Sequence, residues 1–319
     1  MQANSQAKLT PVAVVGAGAL GCLFGGMLAR AGSAVTLIGR ATHVAAIRRD
    51  GLVLESGGEK QVIPLSATED MSAVRGAALV LFCVKSTDTD AAARAMASCL
   101  SAETVVLSLQ NGVDNVERIR GHVRNEVFPG LVYEAAQMAA PGHVRRTGGG
   151  GVVIGQLAAY RRPDGAEAAL LDAIASLFTS AGVQMRVSDD VDVDLWTKLV
   201  MNCAYNAISA LGGAPYGEMV ALADVRTLMG DAAREAAAVA AAKGVRLPAN
   251  IVADAIKIAD GMPMQISSTA QDIRRGRRTE INHLNGYVVR AGEALGIATP
   301  VNRTLYALVK LLERRATSF

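Results

Sequence analysis

The chain has 319 residues, enough for two domains and a sizeable core, and its 32 basic and 29 acidic residues leave a net charge of only +3. So even a balance argues against nucleic acid or a membrane surface as a partner. Hydrophobic residues make up 51% of the chain and aromatics 4%. Much of that apolar content is alanine and no run approaches the ~20 residues of a membrane span. The first ten residues lack an apolar signal core, so the expected setting is the cytoplasm.

The first apolar run, VAVV from Val12, leads into Gly16-Ala-Gly18-Ala19-Leu20-Gly21, then into an apolar segment to Arg30 and a second apolar run ending at Gly39-Arg40. This order reads as strand, tight turn, helix, strand. In that frame Gly16 permits the turn, Gly18 lets a pyrophosphate approach the backbone, and Gly21 lets the helix pack close to the sheet. A GxGxxG string alone also arises as a structural turn; the flanking strand and helix patterns are what favour a dinucleotide cradle over Gly16 to Gly21. NAD-type loops place an acid at the end of the second strand, about 20 residues on. No acid occurs between Gly21 and Asp50, and the strand ends at Arg40. A guanidinium there suits a ribose 2′-phosphate, so the expected cofactor is NADPH; a lone surface arginine is the alternative.

A helix follows from Thr42 to Asp50, then short strands near Leu52 to Glu55 and Val62 to Leu65. Ala78 to Val84 (ALVLFCV) has the continuous apolar character of a doubly covered parallel strand and ends at Lys85. Ligands in open α/β sheets gather at the carboxyl ends of strands. Lys85 is therefore a candidate for the cofactor rim or an exposed loop lysine. The buried strand Thr104 to Leu109 runs into Gln110-Asn111-Gly112. There Asn111 is placed to meet the nicotinamide or a substrate oxygen, or else simply makes an Asn-Gly turn. From Val127 to Gly155 short strands alternate with turns, and the run Gly148 to Gly151 is expected to be a tight connection between antiparallel strands. Gly165 to Ala181 reads as a helix, Val183 to Val187 as the last strand, and Ser188 to Asp190 as a helix N-cap.

Beyond that point the periodicity is helical almost to the end, broken at glycine and proline positions. The division is expected near residue 188: an α/β domain with a mainly parallel sheet over 1–188 and an all-α domain over 189–319. The four cysteines show no metal spacing and read as reduced thiols, and no histidine has a partner at metal-ligand spacing, so no metal site is expected. The small-residue helices suit a homodimer as well as packing within one chain.

In Asp194 to Asn206, Lys198, Asn202 and Asn206 fall within about 80° of one another, each ~6 Å further along the axis. Their flanks are apolar. A lysine and two amides on a mostly buried helix need internal partners or a polar cavity, since unpaired burial costs ~1 to 3 kcal/mol per group; a solvent-facing stripe is the alternative. Burial would lower the lysine from ~10.4 toward the range useful for proton transfer. Further on, Ser267-Ser268 either bonds a substrate carboxylate or caps a helix. Glu280 either orients the lysine and bonds a substrate hydroxyl or pairs with a neighbouring arginine of the basic knot Arg274, Arg275, Arg277 and Arg278, which reads as a solvated helix end or a local anion contact rather than a nucleic-acid patch.

Taken together, GAGALG, Arg40, VKS at Val84 to Ser86, QNG at Gln110 to Gly112, WTKLVMNCAYN at Trp196 to Asn206 and ISSTAQDIRRGRRTEINHLNG from Ile266 resemble the ketopantoate reductase (2-dehydropantoate 2-reductase) family. The resemblance implies a Rossmann-like amino-terminal domain binding NADP, a helical carboxyl-terminal substrate and catalytic domain, and an active site in the cleft between them. It also implies reduction of ketopantoate to pantoate by NADPH, toward pantothenate and coenzyme A. By that match Lys198 and Glu280 are catalytic, and Asn111, Asn202, Asn206 and Ser268 bind cofactor or substrate. Gln265, the stretch Gly212-Gly213-Ala-Pro-Tyr216 and His283 depart from the family's usual residues. A reductase of a related 2-keto acid is therefore the second reading. A non-catalytic NADPH sensor and a hydroxyacid dehydrogenase of another Rossmann family are further alternatives.

Overall fold

A computed structural model describes residues 9–316 and divides the chain into two compact units. The first comprises the chain up to Gln110 together with Asp114–Val191, and the second comprises Asn111–Val113 and the chain from Asp192 onward.

In the first unit the elements run β1 Val12–Val15, α1 Ala19–Arg30, β2 Val35–Ile38, α2 Ala41–Asp50, β3 Leu52–Ser56, β4 Glu59–Ile63, β5 Ser66–Thr68 and β6 Leu79–Phe82. They continue with α3 Thr89–Ala97, β7 Val105–Ser108, α4 Asn115–Arg120, β8 Val127–Val132, β9 Ala135–Ala140, β10 His143–Gly148, β11 Val152–Ile154, α5 Ala166–Ser180 and β12 Met185–Val187. Eight strands form one sheet in the order β12-β11-β8-β7-β6-β1-β2-β5. Every pair from β8 to β5 is parallel; β11 turns antiparallel to β8 and carries β12 alongside it. The apolar runs become the central strands because both faces are covered: β1, β6 and β7 are buried at every residue. The strand order reverses at β1, so the turn after it sits at the switch point where α/β sheets take ligands.

A second sheet, β4-β3-β10-β9, lies against α1. Covered by strands on two sides, α1 is buried continuously from Gly21 to Leu28. This sheet corrects one expectation. The hairpin partner of β10 is β9, joined through Pro141-Gly142, and Gly148 to Gly151 instead carries the chain from the small sheet to β11 of the large one. The crossing is tight: a Cβ at Gly150 would lie 2.9 Å from the Tyr133 carbonyl oxygen, and one at Gly151 would lie 2.6 Å from that of Gln184. The buried carboxylate of Glu134 secures it, accepting from the Gly151 amide at 3.2 Å and from Arg146 at 2.7 and 2.9 Å.

The second unit's described elements are helical: α6 Val191–Gly212, α7 Tyr216–Ala221, α8 Ala223–Ala242, α9 Ile251–Gly261, α10 Ser268–Arg274, α11 Asn285–Leu295 and α12 Pro300–Ala316, with a 3-10 turn at Ile281–His283. Leu199, Val200, Cys203, Ala204 and Ala207 of α6 are buried against a core that includes Ala232, Ala233, Ala236 and Ala240 of α8. Alanines on α8 let its neighbours α9, α11 and α12 approach closely. The Tyr205 hydroxyl donates to the Ile256 carbonyl at 2.7 Å, tying α6 to α9. Glu235 accepts from the Val301 and Asn302 amides at 2.9 Å each, which places a carboxylate at the positive end of α12. Among the described residues no helix is long and apolar enough to cross a membrane.

Candidate active site

The turn after β1 is built by backbone. The amides of Gly16 and Ala17 both donate to the Ile38 carbonyl, at 2.9 and 3.0 Å, binding the turn to the end of β2. Gly16 sits at φ +107°, and a Cβ there would lie 2.6 Å from the Val84 amide nitrogen. A Cβ at Gly21 would lie 2.1 Å from the Gly16 carbonyl oxygen, so the helix can start this close to the strand only without one. Gly18 differs from both: it is exposed and none of the described residues lies within 4 Å of where its Cβ would be. The protein's own packing leaves Gly18 unexplained, whereas a phosphate seated on the backbone explains it. The opening amides of α1, at Ala19 and Leu20, have no side-chain cap, and no acid stands in the first turn. That combination fits the diphosphate of a dinucleotide.

Gly39 packs against the same turn, a Cβ there falling 2.5 Å from that of Ala17, and Arg40 follows it at the start of α2. The Arg40 side chain is exposed, with no acceptor among the described residues. Lys85 is half-buried and opens a short 3-10 turn, Ser86–Asp88, after β6. Sequence reasoning passed over the polar network behind that turn. The Gln110 amide donates to the Val84 carbonyl at 2.9 Å and to Thr89 Oγ1 at 2.8 Å, and accepts from Ser108 Oγ at 3.0 Å. Thr89 bonds Asn115 at 3.0 Å, and Arg118 reaches the Ser86 carbonyl at 2.9 Å and the Asp90 carboxylate. These groups fix the ends of β6 and β7; the signal for them was polar residues crowding directly behind two buried strands.

In the second unit the stripe on α6 is real and mostly removed from water. Asn206 is 4% exposed, while Lys198 and Asn202 are half-buried. Neither side-chain amide has a hydrogen-bond partner among the described residues, and neither has a fully buried unpartnered polar atom, so both reach accessible space. Burial pushes the Lys198 ammonium down to about 8, with the nearby Glu280 carboxylate pulling the other way. Asn111 Nδ2 donates to Glu280 Oε2 at 3.1 Å. The turn reading of Asn111 holds, because the following Gly112 turns the chain at φ +104°, and its side chain is spent in part on Glu280.

Of the serine pair, Ser267 is the helix cap. Its hydroxyl accepts from the Ala270 amide and donates to the Asn206 carbonyl, each at 3.1 Å, docking α10 on α6 beside the stripe. Ser268 is exposed in the first turn of α10. Arg274, Arg275, Arg277 and Arg278 are exposed where α10 ends. Two of the departing residues meet: the Gln265 carbonyl accepts from the Tyr216 amide at 2.9 Å, and the Tyr216 ring centroid lies 4.3 Å from that of Tyr205. His283 follows Glu280 by one turn, its amide on the Glu280 carbonyl at 2.8 Å.

Comparison with known proteins points to one family over most of the chain. Residues 12–159 match the family described as Ketopantoate reductase PanE/ApbA, and residues 190–313 match Ketopantoate reductase PanE/ApbA C terminal. The chain is 38% identical to the 2-dehydropantoate 2-reductase of Halobacterium salinarum, covering 95% of this chain and 99% of that protein. A crystal structure of a PanE/ApbA family ketopantoate reductase from Ralstonia eutropha JMP134 is 50% identical with TM-score 0.88, covering 96% and 99% of the two chains. A ternary structure of D-mandelate dehydrogenase with NADH and anilino(oxo)acetate is 27% identical, also with TM-score 0.88, over 96% of this chain and 99% of that one.

Proposed function

Since the chain belongs to the ketopantoate reductase PanE/ApbA family, a family of oxidoreductases, we propose that it reduces 2-dehydropantoate to pantoate with NADPH, in the cytoplasm, on the way to pantothenate. The observation that carries this reading is the face of α6: an ammonium near pKa 8 beside Glu280, with two buried or half-buried amides that have no hydrogen-bond partner among the described residues.

Bound NADPH supplies a hydride to C2 of the keto acid. Gly16, Gly18, Ala19, Leu20 and Gly21 would hold its diphosphate, Arg40 its 2′-phosphate, and Lys85 and Asn111 its rim. The product of hydride addition is an alkoxide, and Lys198 is the group that stabilises and protonates it, a role worth ~10² to 10⁴-fold. A pKa near neutrality leaves the ammonium charged yet able to give up its proton. Glu280 opposes the desolvation of Lys198 and takes a substrate hydroxyl, with Asn111 fixing one of its oxygens. Asn202 and Asn206 would bond the substrate's remaining polar atoms, and Ser268 its carboxylate. The first unit is thus read as the cofactor domain and the second as the substrate domain.

A second reading, reduction of a related 2-keto acid, is favoured by one finding: the D-mandelate dehydrogenase structure superposes as well as the reductase does, and it was determined with NADH. The departures at Gln265, Tyr216 and His283 belong to this reading. The test is NADPH oxidation with ketopantoate, run beside 2-ketoisovalerate and phenylglyoxylate and repeated with NADH. A dominant kcat/KM for ketopantoate with NADPH bears out the first reading, and a preference for another keto acid transfers the same chemistry to the second. NADPH binding without turnover on any of them leaves a sensor.

A further inference from the structure

Glu280 is preceded by Thr279, and both polar groups of Thr279 are occupied. Its amide and hydroxyl donate to Glu313 Oε1 at 2.7 and 2.6 Å, and its hydroxyl oxygen accepts from the Ile281 amide at 3.2 Å. The backbone on either side of Glu280 is thereby clamped. Ile281 is fully buried, whereas Arg274 to Arg278 on the other side are exposed around Gly276 and are tied back to α10 by the Arg277 amide on the Asp272 carbonyl at 2.8 Å.

Glu313 lies in the last turns of α12 and is 7% exposed, with the Lys310 ammonium bonded to its second oxygen. Removal from water pushes its carboxyl up, but Lys310 and the two Thr279 donors outweigh that and hold it below the usual carboxylate range. It is therefore an ionised acceptor at neutral pH, the form that can take two donors on one oxygen. A purely architectural role would be to fasten α12. That helix is already held by Glu235 at its first amides, by Asn302 bonded to Asn285 at 2.9 Å, and by Leu305 and Val309 in the core. What the Glu313 contact adds is control of the residue before Glu280.

We propose that Glu313 is a positioning residue for the reaction, placing the Glu280 carboxylate against Lys198 through Thr279; the proposal rests on the reading that Lys198 and Glu280 carry the proton transfer. Loosening this clamp lets Glu280 withdraw, and burial then acts on Lys198 with less opposition. The donor becomes uncharged at lower pH.

The test uses the full chain with NADPH and whichever 2-keto acid the wild type turns over, measuring kcat and KM across pH. Glu313→Ala is expected to lower kcat by roughly 10-fold, within the up to ~100-fold that misplacement by an ångström can produce. It also moves the alkaline limb to lower pH and leaves NADPH affinity unchanged. Glu313→Gln, whose amide oxygen still accepts from Thr279, restores most of kcat and the position of the limb. Thr279→Val removes the hydroxyl while leaving every residue of α12 in place and shifts the limb in the same direction, so it carries the test alone if Glu313→Ala does not fold. A wild-type kcat and limb in both Glu313→Ala and Thr279→Val, whatever their melting temperatures, overturns the proposal, as does a Glu313→Gln variant no better than alanine. Lys198→Ala and Glu280→Gln run alongside separate the two levels. If these turn over normally, the reading of the site fails; if they are inactive while the Glu313 and Thr279 variants behave as wild type, only the positioning role fails.

Discussion

The nucleotide cradle and the polar face of α6 are made of different material. Around Gly16, Gly18 and Gly21 the groups proposed to meet the cofactor are backbone amides beside open space, supplied by a stretch shorter than two helical turns. Around Lys198 they are side chains, and Asn111 reaches Glu280 across 169 positions of sequence. A site built of backbone has to be contiguous, because neighbouring amides converge only within one turn. A site built of side chains is free to draw on distant segments, and its chemistry is set by burial and by neighbours.

That contrast is most exposed to Lys198→Ala. The substitution is expected to lower kcat ~10² to 10⁴-fold and to leave NADPH affinity as it was, measured by steady-state turnover and by fluorescence titration. Loss of cofactor binding together with turnover would dissolve the distinction. Within the cradle, the glycines separate structure from function. Gly21→Ala forces a Cβ to within 2.1 Å of a backbone oxygen, and overpacking of this kind destabilises by about 1–3 kcal/mol, read as a drop in melting temperature. Gly18→Ala meets no protein atom, so the melting temperature should hold while NADPH binding weakens. If both substitutions act alike, Gly18 has no ligand role.

Arg40→Ala should weaken NADPH roughly tenfold, the effect of losing a hydrogen bond to a charged group of about 1.5 kcal/mol, and leave NADH unchanged. Equal loss for the two cofactors would remove the 2′-phosphate assignment. The gentlest test is pH. With Lys198 as the proposed proton donor, reduction would need its charged form, and burial has brought its pKa down from 10.5 to about 8. The value of kcat/KM should therefore fall as pH rises through about 8, whereas an unperturbed lysine would hold activity to about 10. A flat profile to that point would mean that the proton comes from elsewhere.

Local readings succeeded where one element decides the outcome. The strand–turn–helix over Val12 to Arg30 follows from apolar runs and glycine spacing, and the end of α6 follows from Gly212-Gly213. They failed where two elements meet. Four consecutive glycines look like a hairpin turn, yet the residues flanking Gly148 to Gly151 belong to different sheets, and only pairing with β9 and β8 reveals it. Ser267 and Ser268 are equivalent by type, and the approach of α10 to α6 is what buries one as a cap and exposes the other.

By itself, then, the chain's order of residues determined the α/β and helical character of its parts, the glycine cradle, and the lysine–amide stripe at helical spacing. Each depends on neighbours within a few turns, and such periodicities are written into consecutive residues. Only the tertiary structure decided that Asn111 holds Glu280, that Glu280 faces a lysine whose pKa burial has lowered, and that Glu313 grips Thr279 from 34 positions away. Desolvation and long-range hydrogen bonds exist only once the helices have packed, and no local spacing encodes them.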